Sequence, residues 1–149
     1  MGFGWNLGNT LDAVNFDDPY SNDIISEYRW GQPKTTEEII QLYKNRGLKS
    51  FRISVTWHNH LIDEKYTIDS QWMASVKEIV DWGLKNGFVV ILNSHHDGAK
   101  VTDQPIKHRF GYYTANVDRA ESERFIYNIW SQIRIILIMG IFKIYYLNA

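Results

Sequence analysis

The sequence predicts an α/β fold in which about four parallel strands are covered by helices. Short, nearly unbroken apolar runs recur along the chain, and segments with helical apolar spacing lie between them. Strands without strict alternation are buried on both faces, as in parallel sheets packed under helices. A closed eightfold β/α barrel takes about 250 residues. The 149 residues here therefore correspond to half of a (β/α)8 barrel, whose open edges a second copy would close.

The first strand is read at Phe3 to Gly8, "FGWNLG". A helix follows in "TTEEIIQLYKNRG": Thr35 is its expected N-cap with Glu38 three residues on, Ile39, Leu42 and Tyr43 share a face, and Gly47 stops it. "SFRISV" (Ser50 to Val55) is the second strand. Asp69 caps a second helix with Trp72, Val76, Ile79, Val80 and Leu84 at helical spacing, ended by Gly87 before the third strand, "FVVILNS" (Phe88 to Ser94). A third helix starts at Asp118 and Glu121, carries Phe125, Ile129 and Ile133 as its stripe, and is interrupted at Gly140. "IFKIYYLN" (Ile141 to Asn148) reads as a fourth strand, in one domain spanning residues 1–149.

Composition narrows the partners. With 16 basic and 17 acidic residues there is no electrostatic case for nucleic acid or an anionic membrane, and a neutral substrate is expected. Cysteine is absent, which removes disulfides and thiolate chemistry. Met1 leads directly into "GFGWNLGN", so no secretory signal is expected in this sequence. The run "IILIMGIF" (Ile135 to Phe142) is too short for a membrane span.

Polar residues gather just after the apolar strands: Asn6, Asn9 and Asp12, then Trp57, His58 and His60, then His95, His96 and Asp97. In a β/α barrel the carboxyl ends of the strands build the active site. Arg52 lies within a strand. Pointing inward, its permanent charge needs acceptors, typically a catalytic carboxylate; pointing outward, it is solvated. The histidines have an equally plain alternative as satisfied structural residues, and Asn9 as a turn residue. Trp5 and Trp72 read as core, and "HNH" (His58 to His60) as a surface loop.

The ordered blocks "GWNLGNTLDA", "WGQPKTT", "FRISVTWHNH", "NGFVVILNSHHD" and "ESERFIYNIWSQI" resemble the N-terminal half of glycoside hydrolase family five, the cellulase A family. The resemblance implies retaining hydrolysis of β-1,4-glucans, without a metal or other cofactor, and an extracellular place of action. It implies that Arg52 supports the nucleophile carboxylate and that His95 lines the cleft beside the cleaved bond. His96, Asn9 and Asp12 would contact sugar, and Trp57 would flank the cleft with its indole.

Retaining hydrolysis uses two carboxyl groups about 5 to 5.5 Å apart. The family's acid/base glutamate follows an apolar strand and an asparagine. Here Leu147 and Asn148, the latter resembling the family's supporting asparagine, are followed by Ala149, and residues 134–149 depart from the family pattern. Independent catalysis is therefore not expected unless Asp12, Asp97 or Glu64 supplies it. Two rivals follow: a non-catalytic module that binds β-glucan or cello-oligosaccharide, and a metal-dependent hydrolase using His58, His60, His95, His96 and Asp97. Open sheet edges predict a homo-oligomer.

Overall fold

The computed structural model describes residues 2–14, 24–97, 119–137 and 145–147. Four strands form one sheet in sequence order, β1 (Gly4–Leu7), β2 (Ser50–Val55), β3 (Val89–Ser94) and β4 (Tyr145–Leu147), and each neighbouring pair is parallel. Helices α1 (Glu37–Asn45), α2 (Ser70–Lys85) and α3 (Arg119–Leu137) lie between them in the chain. This is the wall of a partial β/α barrel, as the strand and helix patterns imply.

The two faces of the sheet differ by alternation. Leu7, Ile53 and Leu92 are register partners, and all three are buried. With Phe51, Val55 and Val90 they form the face covered by helices, each worth about 1.5 to 3 kcal/mol on full burial. α2 lies so close that a Cβ on Gly83 would come within 2.9 Å of Phe51 and 2.8 Å of Val90. The neighbouring register row, Asn6, Arg52 and Ile91, belongs to the other face and is less buried.

Local signals explain most boundaries. Asp69 caps α2 by accepting from the amides of Gln71 and Trp72. Gly47 and Gly87, at φ 88° and 72°, take the left-handed conformation that ends α1 and α2. Phe125, Ile129 and Ile133 bury the stripe of α3. Two details of α1 differ from expectation. Its N-cap is Thr36 rather than Thr35, which is buried, and its inward face runs through Ile40 and Tyr43, leaving Leu42 49% exposed. The three-residue step from Ile40 to Tyr43 stays on one side of a helix, whereas Leu42 falls off it. Tyr43 stacks on Trp5 at 4.0 Å, and Trp5 on Phe51 at 5.1 Å, so Trp5 packs on the helix side of the sheet.

Asp118 and Gly140, residues 141–144 of the expected fourth strand, and Asn148 and Ala149 lie outside the described residues. No helix among the described residues is long and apolar enough to cross a membrane.

Candidate functional site

The carboxyl ends of β1, β2 and β3 bring together Asn6, Arg52, Ser54, His95, Asp12 and His96. Arg52 points to the sheet face opposite the helices, where it finds neutral acceptors: its Nη1 donates to Asn6 Oδ1 at 2.6 Å and to Ser54 Oγ at 3.0 Å, and its Nη2 lies 3.3 Å from His95 Nδ1. The parallel register places Asn6 directly beside Arg52, which is why one guanidinium spans both strands.

The first loop folds back onto this row. Asp12 is buried; its Oδ1 accepts from the Thr10 amide at 3.0 Å, and its backbone carbonyl accepts from the Thr56 hydroxyl at 3.0 Å. That leaves Oδ2 facing the Nε2 atoms of His95 and His96 at 3.8 and 3.9 Å. The histidine rings meet edge to face at 4.4 Å. Burial pushes the His96 pKa below its ordinary 6.5, and neighbouring His95 adds to this, against the pull of Asp12 and Asp97. His96 is therefore uncharged at neutral pH.

Asn9, assigned to sugar contact by resemblance, is exposed beside this row at φ 60°, a left-handed conformation that asparagine tolerates. Trp57 is placed differently from expectation: its indole is fully buried in the core and does not flank an open cleft. "HNH" is likewise no surface loop. Its three residues form a buried 3-10 turn in which His60 stacks on Trp72 at 3.5 Å. The cause is Asp97. Its buried carboxylate accepts from the amides of Trp57 and His58 at 2.7 and 2.8 Å, from the Ser94 hydroxyl, and pairs with His58 Nδ1 at 3.2 Å. Asp97 is thus committed to holding the turn. Glu64 stands apart, exposed in the loop before α2, with its carbonyl accepting from Arg124 of α3.

Besides Ser54, two residues without an assigned role join the site. Trp30, from "WGQPKTT", lies edge-on to His96 at 5.6 Å and is partly exposed. Asn93 is buried on β3, donating to the Ser94 carbonyl at 3.0 Å with the same Nδ2 3.5 Å from His95 Nδ1. Asn93 and Ser54 were legible as polar positions on otherwise apolar strands, and Asn6 had been placed at the rim without a partner.

Asp12, His95 and His96 are the described residues that could hold a metal, with donor atoms within 4.8 Å of one another. His58 and Asp97 are paired elsewhere, so the five-residue metal set expected from sequence does not assemble. The Arg52 charge at His95 also disfavours a cation there.

Parallel strands in sequence order, with a polar row at their carboxyl ends, define one wall of a β/α barrel. The chain belongs to the cellulase family, glycosyl hydrolase family five, whose profile matches residues 12–134. Endoglucanase A of Clostridium longisporum is 46% identical over 99 residues, 66% of this chain and 19% of that protein. Endoglucanase B of Clostridium cellulovorans is 34% identical over 134 residues, 89% of this chain and 26% of that protein. A family-five enzyme from Prevotella bryantii, solved with a xyloglucan tetradecasaccharide, is similar at TM-score 0.76 and 34% identity, covering 93% of this chain and 38% of that one. The chain therefore spans well under half the length of these relatives.

Proposed function

We propose that this chain forms the substrate-gripping wall of an endoglucanase-type glycoside hydrolase and binds β-1,4-glucan along His95, Asp12 and His96, with Arg52 braced behind His95. The observation that carries this reading is the placement of Asp12 Oδ2 opposite two histidine nitrogens at 3.8 and 3.9 Å. These separations exceed a direct hydrogen bond, so Oδ2 keeps accepting capacity for a sugar hydroxyl placed beside the two ring nitrogens. A lichenase solved with cellotetraose, 33% identical with TM-score 0.70, supports a glucan chain as the ligand.

By itself the 149-residue chain binds without turnover. A retaining mechanism needs two available carboxyl groups. Among the rim carboxylates described, Asp97 is enclosed by donors and Asp12 is tied into its loop. The polymeric substrate places its action outside the cell. Among the described residues β1 pairs only with β2, and this open side favours self-association through the sheet edge.

Calorimetry with cellotetraose and reducing-end release from soluble β-glucan test the reading together. Binding with negligible release is expected. No binding by the folded chain would overturn the cleft assignment, and robust release that survives repurification would overturn the absence of turnover.

A further inference from the structure

We infer that Arg52 is a positioning residue that fixes His95 in the tautomer carrying its proton on Nε2, and so acts on the substrate through His95. A guanidinium has five N–H donors and no acceptor. Its Nη2 lies 3.3 Å from His95 Nδ1, so the ring nitrogen in that contact is the acceptor. A proton on Nδ1 would set two donors against each other.

A second donor points the same way. Asn93 gives its Nδ2 to the Ser94 carbonyl at 3.0 Å, and this orients the amide so that nitrogen faces His95 Nδ1 at 3.5 Å. Arg52 is itself braced by Asn6 and Ser54, so it cannot turn away without losing both acceptors. With Nδ1 bare, the ring proton sits on Nε2, on the side facing Asp12 Oδ2 at 3.8 Å.

The polarity of the rim follows. His95 presents a donor and Asp12 an acceptor side by side, 3.8 Å apart, which matches a group placed against both that gives and takes a hydrogen bond. A hydroxyl does both; a carboxylate, a ketone or an ether does not. A metal cation is disfavoured too, because the His95 nitrogen facing Asp12 has no free lone pair. The consequence for substrate choice rests on the glucan reading, while the tautomer does not.

Long-range nitrogen–proton NMR of the histidine rings tests the tautomer without any sugar, with His95→Gln identifying the signals. The wild type is expected to show a bare Nδ1 and a protonated Nε2 at neutral pH. A proton on Nδ1 would overturn the proposal. Folded Arg52→Met should show both tautomers; an unchanged single tautomer would remove Arg52 as the cause.

A binding cycle reads the coupling. Arg52→Met should weaken cellotetraose about two- to tenfold, the worth of one neutral hydrogen bond, and should have no further effect in a His95→Ala background. Additive losses would show that Arg52 acts independently of His95. If Arg52→Met fails to fold, the same spectrum and cycle are run with Arg52→Gln, which removes the guanidinium fork. Absence of all sugar binding would defeat the glucan reading and leave the NMR result standing.

Discussion

The carboxylate of Asp97 holds His58 twice, by its backbone amide at 2.8 Å and by its ring at 3.2 Å, and so ties the end of β3 to the turn after β2. Both residues are buried, which makes the pair a structural clasp for the rim. Asp97→Ala should destabilise the fold by about 3 to 5 kcal/mol, since it strands buried donors and a buried ring. Urea unfolding measures this. A loss below about 0.5 kcal/mol, the level of an ordinary surface change, would contradict the clasp.

Acid should act in two stages. The His96 pKa is lowered, so the unfolded chain takes up this proton first; its contribution to stability is full above 6.5 and is lost as pH falls from there through the folded value. For Asp97, burial raises the pKa, but the hydrogen bond and charge of His58, the Ser94 hydroxyl and the His58 amide together bring it below its ordinary 3.8. Its contribution is full above 3.8 and fades as pH drops through that lower folded value. Melting temperature against pH should show both declines, with His96→Gln removing the first and Asp97→Asn reducing the second. A flat profile from pH 7 to 5 in the wild type would exclude the His96 part.

Trp57→Ala and Trp72→Ala should both cost about 3 to 5 kcal/mol of stability, because each indole is fully buried. His95→Ala and Asp12→Asn, by contrast, should weaken cello-oligosaccharide binding. Thermal melts and calorimetry separate the groups. Lowered sugar affinity in a well-folded Trp57→Ala variant would restore the indole to the cleft.

Gly83→Ala should destabilise by about 1 to 3 kcal/mol, since its new methyl would press on Phe51 and Val90 across the helix–sheet contact. Circular dichroism melts are sufficient. An unchanged melting temperature would mean that α2 can move away from the sheet at little cost.

The sheet edge offers a fifth measurement. Among the described residues β1 pairs only with β2, and Phe3 beside it is 91% exposed. Sedimentation at tens of micromolar protein, as an order of magnitude for edge pairing, should show a dimer or larger species. A clean monomer would argue against association through this edge.

What the sequence disclosed and what it withheld have a common physical basis. β2 and the Asp69 cap could be read directly because each depends on neighbours a few residues away. The strand ends of β1 and β3 also named Asp12, His95 and His96 as companions. The burial of Trp57 could not be read, because it depends on a carboxylate 40 residues further along. A similar distance hid the fate of His58 and made Asp97 look like a free loop acid. Arg52 was ambiguous until the register set Asn6 beside it. Trp30 meets His96 only through tertiary contact, and nothing local to "WGQPKTT" announces that.

The described starts of the rim loops are tied to one another by backbone amides of the second and third: Thr56 donates to the Leu11 carbonyl of the first, His95 to the Val55 carbonyl, and Trp57 to the Asp97 carboxylate. Loops laced in this way cannot open singly, since moving one breaks bonds held by the next. Under the proposed glucan reading, a sugar chain would meet a stiff ledge at these described strand ends, and its capture there should be a single kinetic step whose observed rate rises linearly with ligand concentration. The corresponding amides should exchange with solvent as slowly as those inside the sheet, although they lie beyond the ends of the strands.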